Sequence, residues 1–394
     1  MTIRLNYQNL FNYLIEADIC QQSDLEVITI DDKHSKNLHW TLNVADDSKL
    51  VVKQESYHQI HNFSNEIYNE HDIFSFMHLC PNLVYASSLL PKMVHFDESN
   101  LILIYKHSAD YINLDSYYDN ARTFPTSIAE AIGTNLAKLH LETMNSQDCY
   151  NFITKVKEGK FCYQLPYSNY LLDQIDPESL LKFPAEGFKF IAFYQRFENL
   201  KKAVTELVVH HRHCCLTHNN LLLNKILIYR QWERLLLATE CCDESLIKFI
   251  DWEKCSWGDP ACDLGTVIAG YLLVWLNSIT VHPAIELKQS LQLATIPLEV
   301  VRPSTIAITK AYIKTYPKVL EDRPDFLRRV IQFAGLALIS EIMGRIQSHK
   351  GFDNQGICML QVAKSLLCQP DESFSFVLNT TELELINSRL PSIN

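Results

Sequence analysis

The chain has 394 residues, 47% hydrophobic and 21% charged, which is long and apolar enough for two cored lobes and excludes a disordered chain. Its formal net charge of -11 argues against a nucleic-acid binder, whose footprint is basic. The acidity favours cationic ligands only weakly.

The N-terminal stretch MTIRLNYQNLFNYL reads as an amphipathic helix, not a signal peptide. Residues 1-24 are therefore expected to form a helical extension. Leu25 to Ile30 and Leu38 to Val44 alternate as strands do. Asp46-Asp47 marks a hairpin turn before a strand over Leu50 to Gln54. Phe63 to Leu79 reads as a helix with Ser64 as N-cap. Met93 to Phe96 and Leu101 to Tyr105 form a further hairpin. Residues 25-106 thus make a small five-stranded lobe with one helix.

From 107 to 394 the pattern is mostly helical. Ser127 to His140 places Ile128, Ile132, Leu136, Leu139 and His140 on one face. Phe188 to His210 reads as one long amphipathic helix. Ile226 to Tyr229 and Leu246 to Ile250 are short strands joined by a loop. Leu264 to Val281 is 18 residues without charge, at the lower limit for a membrane span. It holds Gly265, Gly270, Asn277 and Ser278 and has no basic flank, so a buried helix and no membrane is expected. Ser304 to Tyr316, Asp325 to Ile346 and Ile357 to Leu367 complete the helices, with Pro317 and Pro324 between two of them. Of twelve cysteines, Cys214-Cys215 and Cys241-Cys242 are adjacent, and Cys255 and Cys262 lack a matching pair. Reduced thiols in a cytoplasmic protein are the expectation.

The chemistry concentrates in LTHNNLLLNKILIY, from Leu216 to Tyr229, and IKFIDWEKCSWGDPACDLG, from Ile247 to Gly265. Asp251 leaves an apolar strand, which suits a Mg²⁺ ligand, because Mg²⁺ takes one or two carboxylates plus phosphate oxygens. Lys53, in LVVKQE, is a cation on a rigid strand. With IGTNLAKLH at residues 132-140, these motifs resemble the aminoglycoside phosphotransferase and choline kinase-like family. The resemblance covers roughly residues 25-350 and implies an α+β, protein-kinase-like fold that uses ATP and Mg²⁺. It implies that Lys53 contacts the nucleotide phosphates and is held by a helix carboxylate, Glu66 or Glu70, with the preference falling on Glu66. It implies that Asp251 is a metal ligand and that Asp259 and Asp263 brace the loop, with Asp263 also a candidate N-cap. His218 is expected to pack.

Two positions depart from the family pattern. Asn220 stands where relatives carry the catalytic Asp, and an amide cannot take up a proton near neutral pH. Lys225 stands where they carry a metal-binding Asn, and an ammonium has no lone pair to give. It could instead neutralise a phosphate or pair with Asp251, and Asn224 could replace the lost ligand. No glycine precedes Lys53 in HSKNLHWTLNVADDSK, where Ser35, Lys36 and Asn37 are the expected loop tip. The expected function is a pseudokinase or weak nucleotide binder acting with a partner enzyme. The alternative is an active ATP-dependent phosphotransferase on a small-molecule or peptide Ser/Thr hydroxyl. For this, the resemblance points to kinase-like subunits of lanthipeptide-type gene clusters.

Overall fold

Alternation along the strands builds an apolar sheet face from Trp40, Leu42, Leu50, Val52, Ile102 and Ile104, all buried. A computed structural model describes residues 3-22, 30-32, 38-44, 48-55, 66-152, 165-172, 183-237, 245-281, 289, 293-348, 351-381 and 384-385. The sheet is antiparallel, with β1 (Ile30–Asp32), β2 (Leu38–Val44), β3 (Ser48–Gln54), β4 (Lys92–Asp97) and β5 (Ile102–Ser108) in the order β1-β2-β3-β5-β4. The helix Glu66–Leu79 follows β3 and buries Ile67, Glu70, Ile73, Phe74 and Met77. Most of the predicted first strand, the Asp46-Asp47 turn, the Ser35 to Asn37 loop tip and the Ser64 cap lie outside the described residues.

The chain divides into two compact units, residues 1-120 with 224-255 and residues 121-223 with 256-394. This differs from the division along the sequence at both ends of the first unit. The N-terminal helix is short, Leu10–Glu16, and it is no appendage. Leu5, Leu10, Tyr13 and Leu14 complete the apolar face of the sheet. The Gln54 carboxamide holds this segment, accepting from Leu5 N at 2.8 Å and donating to Ile3 O at 2.7 Å. The strand Ile226–Tyr229 pairs with β6 (Tyr111–Asn113) on one side and with Ile247–Phe249 on the other, and all three belong with the sheet-bearing unit.

The second unit is helical. The apolar stretch lies in the helix Pro260–Asn277, 89% buried, against the helices Phe326–Gln347 and Leu298–Thr315. It is a core helix by environment. The predicted helix over Phe188 to His210 is instead two, Ala185–Tyr194 and Glu198–Val209. Phe197 breaks it, with φ -107° and ψ 80°, its ring lying under Lys364 Nζ at 4.0 Å. The helix expected from Ser304 begins at Leu298 and runs through Pro303. Pro370–Leu378 is a further helix, missed in the sequence.

Candidate functional site

The first unit concentrates five charged side chains. Lys53 lies on β3 between Val52 and Gln54, facing away from the apolar face that Leu50 and Val52 build. Its ammonium meets Glu70 at 2.8 and 2.6 Å, Asp251 Oδ1 at 2.5 Å and Glu253 at 3.7 Å. Tyr105, on β5, presents its ring 5.4 Å from the same nitrogen. Lys53, Glu70 and Asp251 are all buried. Glu70, not Glu66, is therefore the helix partner of Lys53. Glu66 lies in the first turn of that helix and is half-buried, whereas Glu70, one turn deeper, is fully enclosed. Glu70 also accepts from Trp252 N at 3.3 Å, which ties the helix to the segment after Asp251.

Asp251 follows the strand Ile247–Phe249 and takes the left-handed conformation, φ 63° and ψ 61°. Asp is one of the few residues with a side chain that visit this region. The second oxygen, Oδ2, is ion-paired with Lys225. Ile250 N donates to Lys225 O at 3.0 Å, so adjacent strands fix the two residues side by side.

Each charge shifts the others. Burial works against the Lys53 ammonium, but Asp251 and Glu70 outweigh it and hold it well above its ordinary value. Burial likewise opposes ionisation of Asp251, yet Lys225 and Lys53 keep it well below the usual carboxylate range. Glu70 is pushed up to about 7, because burial exceeds the help it receives from Lys53.

The carboxylates of Glu70, Asp251 and Glu253 lie within 4.8 Å of one another, as ligands of one metal ion would. Their common centre is already taken by Lys53, and Lys225 covers the other oxygen of Asp251. A divalent ion at Asp251 would be repelled by an ammonium at each oxygen, Lys53 at one and Lys225 at the other. The Mg²⁺ site expected through Asp251 therefore does not fit the residues as they are arranged.

The second unit carries the loop containing His218 and Asn220. Asp263 accepts from His218 N at 2.8 Å and Asn219 N at 2.7 Å, and its Oδ2 lies 3.2 Å from His140 Nε2. His218 is fully buried, and Asn219 sits at φ 61°. Asp259, not Asp263, caps the helix Pro260–Asn277, accepting from Ala261 N at 3.0 Å. Asp259 also pairs with the buried Arg323, a partner the sequence did not suggest. Asn220 is half-buried, and its backbone donates to His218 Nδ1 at 3.3 Å. This loop presents no carboxylate at position 220, so it offers no proton acceptor there. Glu253 and Tyr105 were also missed, although the Glu of IDWE was a readable signal.

No protein-family model matches the chain, and no curated protein is significantly similar to it in sequence. Solved structures are similar. An ethanolamine kinase from Plasmodium vivax superposes with a TM-score of 0.53 at 13% identity, covering 94% of this chain and 90% of that one. A choline/ethanolamine kinase family protein from Mesorhizobium loti gives 0.50 at 16% identity, covering 94% and 99%. An amicoumacin kinase, solved with AMP-PNP and Ca²⁺, gives 0.52 at 13% identity, covering 91% and 93%. The chain has a protein-kinase-like fold. At these identities the likeness establishes the fold and not the activity.

Proposed function

We propose that this protein belongs to the aminoglycoside phosphotransferase and choline kinase-like group and has lost efficient phosphoryl transfer. It serves as a weak nucleotide binder acting with a partner enzyme, in the cytoplasm. The observation that carries this reading is the ion pair from Lys225 to Asp251, at the carboxylate that would otherwise face a metal. Asn220 adds the missing proton acceptor. The partner, on the resemblance to lanthipeptide-type clusters, is an enzyme that modifies peptide Ser or Thr residues. The test is an ATP titration with turnover measured in parallel. Binding with turnover at least ~10²-fold below that of Asn220→Asp/Lys225→Asn supports the reading, because both lesions are then repaired. Efficient turnover by the wild-type protein would sink it.

A second reading has one observation in its favour. Lys53 and Glu70 form the lysine–carboxylate pair that a phosphotransferase of this fold requires. On that reading the protein is an active ATP-dependent phosphotransferase for a small-molecule or peptide hydroxyl. It predicts ADP release by the wild-type chain that depends on Lys53.

A further inference from the structure

We infer that Lys225 is a tethered cation replacing a divalent metal at Asp251, so that a nucleoside triphosphate is bound here in its metal-free form. The inference rests on the nucleotide-binding reading above and specifies its ligand. Among the described residues, Glu70, Asp251 and Glu253 are the group with metal-ligand spacing. Lys53 Nζ fills their centre at 2.6 Å from Glu70, 2.5 Å from Asp251 and 3.7 Å from Glu253. The remaining oxygen of Asp251 is ion-paired with Lys225. Both Asp251 oxygens thus face ammonium groups, and a metal ion has no oxygen of Asp251 to approach.

The Lys225 contact is built into the backbone. Ile250 N donates to Lys225 O at 3.0 Å, Ile226 pairs in register with Phe249, and Asn113 Nδ2 donates to Asn224 O at 2.8 Å. The two side chains leave neighbouring strand ends and meet in the ion pair. The two lysines are not equivalent. The Lys53 side chain is 5% exposed and surrounded by carboxylates, whereas that of Lys225 is 21% exposed. An ammonium carries three donors, so Lys225 keeps hydrogens for an external acceptor while still bound to Asp251. A phosphate oxygen is such an acceptor, and the lysine supplies the charge that the metal would have brought.

The test is a manganese titration followed by electron paramagnetic resonance, run beside ATP titrations in Mg²⁺ and in EDTA. The wild-type protein is expected to show no manganese site, and its ATP dissociation constant should differ by less than about twofold between the two buffers. Lys225→Asn should gain one manganese site, lost again when Asp251→Asn is added, and its ATP affinity should fall at least about tenfold in EDTA. Lys225→Arg, which keeps the charge, should remain silent to manganese. A wild-type manganese site that Asp251→Asn abolishes would overturn the inference, with no variant of Lys225 needed. So would wild-type ATP binding that collapses in EDTA. If ATP binds in neither buffer, the nucleotide-binding reading fails, and the wild-type manganese titration alone decides whether Lys225 replaces the metal.

Discussion

Glu66 and Glu70 show at the scale of single residues why chemistry was readable and partnership was not. They are spaced i, i+4 and share one face of a helix. Which one reaches Lys53 depends on how that helix is set against the sheet, and Glu70 lies deeper. Glu70→Ala should cost about 3-5 kcal/mol in urea denaturation, because it strips a partner from a buried ammonium. Glu66→Ala, at a half-buried first-turn position, should cost under ~1 kcal/mol. His211 makes a second prediction. Burial lowers it to about 4 from 6.5. Between those values the unfolded chain holds the extra proton, so acid favours unfolding. The contribution is complete above pH 6.5 and is lost as the pH falls to about 4, at most roughly 3 kcal/mol. Glu70, pushed up to about 7, works in the opposite direction across part of that window. The measurement is therefore the difference between wild type and His211→Phe at pH 7 and 4.5, which should shrink toward acid.

Strands and helices with strong periodicity were legible as elements. β2 spans Leu38–Val44 and the strand Ile226–Tyr229 begins and ends where alternation and apolar run indicate. The break at Phe197 was not legible, because the apolar periodicity runs on through it, and the residue its ring meets, Lys364, is 167 positions away in the chain. The capping exchange has the same origin. Asp259 and Asp263 are both acids near one helix start, and only the placement of His218 and Asn219 draws Asp263 away to the loop. Gly265 gives the prediction at this scale. A Cβ there would lie 2.5 Å from Val330 O and 2.9 Å from Ala334 N, both backbone atoms of the neighbouring helix. Exposed Gly→Ala changes in helices stabilise by up to ~1 kcal/mol, but Gly265→Ala should destabilise by about 1-3 kcal/mol in thermal melts.

Over the whole molecule, each compact unit is assembled from two separate stretches of chain. The five-stranded lobe read from 25-106 is for that reason incomplete as a folding unit. Leu5, Leu10 and Leu14 fill one face of its sheet, and each buried leucine contributes roughly 2 kcal/mol. Removing residues 1-22 should therefore take about 6 kcal/mol from a stability of the order of 5-15, and the first unit should lose its cooperative urea transition. The nine described cysteines carry thiols, so no cross-link offsets such a loss among them.

The sequence by itself determined the fold and the inventory of the site. Apolar alternation and helical periodicity act locally, and the residues of LTHNNLLLNKILIY and IKFIDWEKCSWGDPACDLG are chemically distinctive wherever they fold. It also determined that position 220 holds no proton acceptor, since that follows from an amide's chemistry. Only the tertiary structure decided how the charges pair. Lys53 draws together carboxylates 17, 198 and 200 positions away, and Lys225 takes the second oxygen of Asp251. Coulombic pairing in a buried cluster depends on distance through space, and no spacing along the chain encodes it.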